Sequence, residues 1–437
     1  MEKVHGITTV YRSVSASFGG TKMLRTLKKD VFGVLTLIGL MTFSLVLALP
    51  SSHSNNHSRG APEETLNIAL YPYVPRLDQF QRVVSSAWNK IHPDVALNYV
   101  SWDCYSADPP DNLDVFVFDG IFLDYFVTKG YLASFAPRDI EEFDDFLDYA
   151  VRDSKVNKAY YGIPQLGCGN LLFYRHGDEP LAHAKTLDQV SHAIGRCSDP
   201  SIPPPQGKNL LVDLSGGTTD SCLYLETEQD VQNRYTPDPA LPPADHLDSR
   251  AVANLQSLVI QGCKEQVGYS STNQYQRAAW FGAGLGRAAI GFTESMSAMG
   301  DARKTVDFKL MPLANQTDVH LFYIDLTGVN SKVTDPTRKS LALALANLVA
   351  SSNVLVASFG PTEGSDYPQY LMPVRKSVFA ALRQNDPIYQ KMFDLVSKSN
   401  PHMFRIGPNS KQWLSANKSA IRQKILSVPV AKAKTAR

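Results

Sequence analysis

The feature that most constrains this chain is the alternation of short apolar runs with an amphipathic helical pattern between Leu66 and Asp119. Leu66-Asn67-Ile68-Ala69-Leu70-Tyr71 reads as a strand, and Tyr71-Pro72-Tyr73-Val74-Pro75 as the loop at its carboxyl end. Leu77, Phe80, Val83, Val84, Trp88 and Ile91 then recur at helical spacing on one face. Two further strands follow, Leu97 to Trp102 and Leu113 to Asp119. This βαβ order predicts a layered α/β fold with a largely parallel sheet. Ligands of such sheets bind at the carboxyl ends of the strands. Tyr71, Tyr73, Tyr105 and Asp119 all fall there and predict an aromatic, acidic pocket.

At 437 residues the chain is long enough for two domains or one two-lobed domain. Its net charge of +1 gives no basic excess to attract nucleic acid. The N-terminus departs from this even composition. Lys22, Arg25, Lys28 and Lys29 precede an apolar run from Val31 to Leu49, the pattern of a signal peptide or a signal anchor. We therefore expect residues 1–50 to direct export, residues 51–64 to form a linker, and the remainder to lie outside the cytosol. Contact with membrane is expected only through residues 31–49, if that segment is retained. Sequons at Asn56, Asn315 and Asn417 fit the same compartment. Five cysteines, Cys104, Cys168, Cys197, Cys222 and Cys263, leave at least one unpaired if all bridges are internal. Two disulfides and a free thiol are one arrangement; mostly reduced, buried thiols are the other. No Cys/His spacing suggests a metal site, and no cofactor motif stands out. Gly282 to Arg287 resembles a dinucleotide fingerprint only superficially, because it follows a helix.

Further along, Phe122 to Ala150 reads as mostly helical and acidic. Cys168 lies between Gly167 and Gly169, ahead of the apolar strand Leu171 to Tyr174, with little bulk beside its sulfur. Ser215 to Thr219 reads as a helix-entry turn, and Tyr275 as part of an amphipathic helix. Ala288 to Glu294 reads as a buried strand ending in a carboxylate. In Leu321-Phe322-Tyr323-Ile324-Asp325-Leu326 an acid sits within an apolar run, which is costly unless hydrogen-bonded or neutralised. A thiol is mostly protonated at neutral pH, so a nucleophilic Cys168 needs a base. Glu294 is the candidate, since a buried carboxylate has its pKa raised toward working pH. His176 lies on an exposed-looking loop, which disfavours a Cys/His hydrolase.

Over residues 65 to 425 the chain resembles the thiaminase I (thiamine pyridinylase) family. The resemblance is carried by Ala69 to Pro75, Ser106 to Pro110, Leu113 to Asp119 and Ile121 to Leu123. It continues through Pro164-Gln165, Cys168, Asn170 to Arg175, Ile202 to Gln206 and Gly216 to Thr219. Glu294 to Met296, Met299 to Asp301 and Tyr367 to Leu371 complete it. It implies a two-lobed fold like that of type II periplasmic binding proteins, with the active site in the interlobe cleft. Residues 65–165 and 326–437 are expected to form one lobe and 166–325 the other. The resemblance implies thiamine as substrate, Cys168 as nucleophile on its pyrimidine, Glu294 as base, and an organic base or thiol as second nucleophile. Tyr71, Tyr73, Tyr105, Tyr275 and Tyr323 are expected to pack against the cationic heterocycle, with Asp119 and Asp325 on the aminopyrimidine. Where the family usually has Tyr two residues before the glutamate, this chain has Phe292. The competing expectation is an extracytoplasmic thiamine-binding protein without catalysis, which would need neither Cys168 nor Glu294.

Overall fold

The computed structural model describes residues 64–198, 203–316, 319–362 and 364–428. The apolar N-terminal segment, the linker as far as residue 63, the Asn56 sequon, Ile202 and the basic end of the tail lie outside the described residues. The strands are β1 Glu64–Ala69, β2 Val95–Tyr99, β3 Val115–Asp119, β4 Lys155–Val156, β5 Ala159–Tyr160, β6 Ile163–Cys168 and β7 Leu171–Arg175. They continue with β8 Leu210–Leu211, β9 Ala288–Gly291, β10 Val306–Leu310, β11 Leu321–Val329, β12 Met372–Pro373 and β13 His402–Met403.

The predicted βαβ start is present. The helix Leu77–Ile91 buries Phe80, Val84 and Trp88, and β1 pairs in parallel with both β2 and β3. The first sheet runs β12-β6-β11-β3-β1-β2, with β13 added to β11. A second sheet runs β10-β7-β9-β8. The chain leaves the first sheet through β6, builds the second, and returns through β11. A strand that re-enters from the end at which its neighbour left must run the opposite way, so β11 is antiparallel to both β6 and β3. The largely parallel sheet expected from the sequence is therefore parallel across β2-β1-β3 and antiparallel where β11 meets β3 and β6.

This crossing defines the lobes. Leu166 to Cys168 and Leu321 to Asp325, expected in the second lobe, are strand residues of the first sheet, because β6 and β11 continue to the crossing point. The C-terminal helix Ser410–Leu426, expected in the first lobe, packs on the helices Gly217–Gln232 and Ser249–Gly262. The second of these helices also packs on β8. Phe122 to Ala150 is not mostly helical: it breaks into short turns, with α-helix only at Leu123–Thr128 and from Asp148 to Arg152. Its aromatic residues go to the core instead. Phe122 and Phe126 join Phe116, Phe118 and Trp102 in a cluster of rings 5.1 to 6.3 Å apart. A buried ring of this size contributes about 1.5–3 kcal/mol relative to exposure.

Cys197 and Cys263 form a disulfide, while Cys104, Cys168 and Cys222 are free. The sequence thus yields one bridge rather than two. Of the sequons, Asn417 lies within the helix Ser410–Leu426. Its side chain accepts from the Ala244 N–H at 2.9 Å and donates to the Trp413 carbonyl at 3.0 Å. A glycan on Nδ2 would compete with the bond to the Trp413 carbonyl.

Candidate active site

The crossing point gathers the residues singled out in the sequence. Cys168 is the last residue of β6 and is half-buried. Its register partner on β11 is Tyr323. Two residues on, Asp325 pairs with Asp119 at the end of β3. The carboxyl ends of β3 and β6 and the amino end of β11 therefore lie along one edge of the first sheet. The glycines beside Cys168 are closely packed. A Cβ on Gly167 would lie 3.2 Å from the Tyr149 hydroxyl, and one on Gly169 would lie 3.2 Å from the Phe322 ring.

From Asp119 a hydrogen-bonded path runs outward. Tyr105 donates its hydroxyl to the Asp119 carboxylate at 2.5 Å, and the Tyr71 and Tyr105 hydroxyls lie 3.0 Å apart. The Ile121 N–H donates to the other Asp119 oxygen at 3.0 Å. The Tyr71 and Tyr73 rings meet edge to face at 5.4 Å, and Tyr73 and Tyr105 at 5.6 Å. Tyr73 also donates to Asp103 at 3.2 Å and is 40% exposed, which places it at the rim. Tyr275 precedes the helix Gln276–Gly282 at its N-cap position rather than lying within it. Its hydroxyl donates to the Tyr73 carbonyl at 3.4 Å, linking the helices of the second lobe to the loop after β1.

Glu294 does not end a strand. β9 stops at Gly291, and Glu294 sits in the first turn of the 3₁₀ helix Thr293–Ala298. It is 7% exposed, and the Thr293 hydroxyl donates weakly to its carboxylate at 3.5 Å. Burial pushes its pKa up to about 7, with its own backbone N–H and Thr293 opposing the rise. Burial likewise pushes the Cys168 thiol well above its ordinary value, reinforced by the charges of Glu294, Asp325, Asp119 and Glu226 in that order. Glu294 is thus the strongest charged neighbour of the sulfur. Burial, followed by the charges of Glu294 and Cys168, also raises the Tyr275 hydroxyl. The resting thiol is protonated and a nearby carboxylate is balanced between its two forms at neutral pH, as a thiol and its general base require. The charges acting on the thiol are all carboxylates, an environment suited to a cationic ligand. Among the described residues no cluster of His, Cys, Asp and Glu would hold a metal ion.

Besides Phe292, which the sequence marked as a departure from the family, several contributors were not singled out from the sequence. Glu226, on the helix Gly217–Gln232, accepts from Asn170 Nδ2 at 2.7 Å and from the Tyr323 hydroxyl at 3.4 Å. Phe292 and Phe404 pack edge to face on the Tyr323 ring at 5.9 and 5.2 Å. Tyr149, whose buried hydroxyl has no hydrogen-bond partner, is raised by burial and then by Cys168. The available signal for Glu226 was an acid adjoining the apolar run Cys222 to Leu225 in a helix without one clean polar face.

Two sheets joined by crossing strands, with acids, aromatics and a thiol at the crossing, define a type II periplasmic-binding-protein fold. At 15% identity and a TM-score of 0.58, a maltose-bound MalE3 of T. maritima shares this fold over 83% of this chain and 98% of its own. Residues 169–314 match the Thiaminase-1 domain. Thiaminase-1 of Paenibacillus thiaminolyticus is 40% identical over 387 residues, covering 88% of this chain and 94% of the relative. A Clostridium botulinum thiaminase I, solved in complex with thiamin, is 39% identical with a TM-score of 0.80, over 82% of this chain and 99% of its own. The chain belongs to the thiaminase I family.

Proposed function

We propose that this chain is a thiamine pyridinylase, a transferase in which Cys168 is the nucleophile and Glu294 its base. The observation that carries this reading is that the strongest charge acting on a protonated, half-buried thiol belongs to a buried carboxyl group with a pKa of about 7, in a chain of the thiaminase I family. Glu294 takes the thiol proton, and the sulfur bonds to the pyrimidine ring. The bond from the bridging methylene to the thiazolium nitrogen then breaks, and its electron pair leaves with a neutral thiazole. A second nucleophile attacks the methylene, and the sulfur is expelled as the ring is restored. This is a two-step covalent substitution without a cofactor. The acidic surroundings favour the thiazolium of the ground state, and Tyr71, Tyr73, Tyr105, Tyr275 and Tyr323 offer ring faces and edges to it. Asp119 and Asp325 are assigned to the aminopyrimidine. The negative charge of the pair disfavours an approaching thiolate and favours a neutral organic base, which becomes cationic as it attacks.

Incubation with thiamine and pyridine is expected to give a pyrimidinylmethyl-pyridinium product. Thiamine alone is expected to add one pyrimidinylmethyl group to the Cys168 peptide, read by mass spectrometry. Thiamine that binds but stays intact with every nucleophile tried would instead identify a binding protein. We further propose export through residues 1–50, supported by the Cys197–Cys263 disulfide, which suits an oxidising compartment. N-terminal sequencing of the exported protein distinguishes a cleaved signal from a retained anchor, and recovery only in the cytosol rejects export.

A further inference from the structure

Glu226 is 6% exposed, and burying a carboxylate at this depth is costly unless it is hydrogen-bonded. Its partners come from two other elements. Asn170 lies in the link between β6 and β7, two residues after Cys168, and Tyr323 stands opposite Cys168 in the β6–β11 register. Both bonds end on the same carboxylate oxygen, Oε2. Glu226 therefore holds the residue that follows the cysteine link and the residue that faces the cysteine across the strands. It does so from a helix that otherwise packs on the helices Ser249–Gly262 and Ser410–Leu426. The Tyr323 ring is further confined between Phe292 and Phe404. The neighbour of Phe292 but one is Glu294, so this bracket also borders the proposed base.

We propose that Glu226 is a positioning residue for the thiamine-cleaving reaction, fixing Asn170 and Tyr323 so that the Cys168 sulfur meets the pyrimidine in one orientation. It touches neither reacting atom and acts through its two partners. The proposal rests on the reading of Cys168 as nucleophile. Loss of the bracket leaves the sulfur present but able to sample unproductive positions, which slows bond formation more than it weakens binding. Small misplacements of this kind cost on the order of 10²-fold in rate.

The test measures the rate at which thiamine alone labels the Cys168 peptide, together with kcat, KM and melting temperature. Glu226→Ala is expected to slow labelling and kcat by about 10- to 100-fold while KM stays within about threefold. Glu226→Gln keeps one acceptor oxygen and is expected to recover most of that rate. Asn170→Ala is expected to give part of the loss, and Asn170→Ala with Glu226→Ala no more than Glu226→Ala alone. Should Glu226→Ala fail to fold, Asn170→Ala and Tyr323→Phe carry the same comparison. Unchanged labelling in Glu226→Ala overturns the proposal, as does a loss in Glu226→Gln equal to that in Glu226→Ala. A fall in melting temperature with kcat retained per folded molecule makes Glu226 a structural residue only. If the parent labels no peptide at Cys168, the nucleophile reading itself fails.

Discussion

Asp119 and Asp325 stand opposite one another as register partners on β3 and β11, both buried. Two such carboxylates do not both ionise readily. Burial, then the charges of Asp119 and Glu294, hold Asp325 well above the usual carboxylate range. Burial raises Asp119 only to about 6, because the Tyr105 hydroxyl and the Ile121 N–H stabilise its anion. Where the pair shares one proton, it is favoured on Asp325, and the charge is favoured on Asp119. In a Cys168→Ser background, Asp325→Asn mimics the protonated acid and is expected to leave thiamine affinity within about threefold. Asp119→Asn removes the anion and its charged hydrogen bond and is expected to weaken binding by about 10- to 100-fold. Calorimetric titration of both variants decides; equal losses would reverse or abolish the assignment.

Glu294 couples activity and stability in opposite directions. As a base it acts deprotonated, so single-turnover kcat/KM is expected to rise with pH through about 7. Glu294→Gln is expected to lower it by about 10²- to 10⁴-fold, with thiamine affinity within about tenfold. For stability the sign reverses. The folded pKa lies above the unfolded value of 4.5, so the native state holds the proton longer. The contribution is full below about pH 4.5 and is lost as pH rises through about 7. Glu294→Gln is thus expected to be more stable than the parent at pH 8, by up to about 3 kcal/mol, and alike at pH 4. A variant that is inactive and also less stable at pH 8 would make Glu294 a packing residue.

Much of this site was legible because its residues sit at strand ends, where apolar runs stop and polar residues stand out. Asp119 was visible in that way, Cys168 by its place between two glycines ahead of an apolar strand, and Asp325 as an acid inside an apolar run; β11 brings all three to one edge. The direction of β11 was not visible, because periodicity reports which residues are buried and not which way a strand re-enters. Glu294 was found, but its 3₁₀ turn was read as strand because Ala288 to Phe292 is apolar without a break. Glu226 was passed over because its partners, Asn170 and Tyr323, are 56 and 97 residues away. Hydrogen bonds across such separations leave no local signature. The acidic stretch after Phe122 misled for a related reason: its rings serve the core individually, without a helical face.

The disulfide closes a 66-residue separation between Cys197, after the helix Leu187–Ile194, and Cys263, at the end of Ser249–Gly262. Neither cysteine is among the proposed active-site residues. The paired substitution Cys197→Ser, Cys263→Ser is expected to lower stability by about 2–5 kcal/mol and to leave kcat/KM within about twofold at 25 °C. Chemical denaturation with a parallel rate assay checks both halves. A large kinetic loss in fully folded variant would connect this bridge to the site.

Asp220 is fully buried on the helix Gly217–Gln232, and neither carboxylate oxygen has a hydrogen-bond partner. Two influences favour its anion: Arg422 Nε at 3.7 Å on the helix Ser410–Leu426, and the N-terminus of its own helix, in whose first turn it sits. Burial opposes them, with the Asp213 charge on its side, and wins, pushing the pKa up to about 8. The native state then keeps a proton that the unfolded chain has lost above the ordinary value of 3.8. Stability is expected to fall by up to about 1.4 kcal/mol per pH unit through that interval on this account, and to level off above about pH 8. Asp220→Asn removes the titration, so its advantage over the parent should be small near pH 4 and grow toward pH 8. Urea denaturation across this range measures the difference. A variant less stable than the parent at every pH would show instead that the aspartate is ionised and that its attraction to Arg422 outweighs the cost of burial, which would add this pair to the bonds that hold the C-terminal helix to the fold.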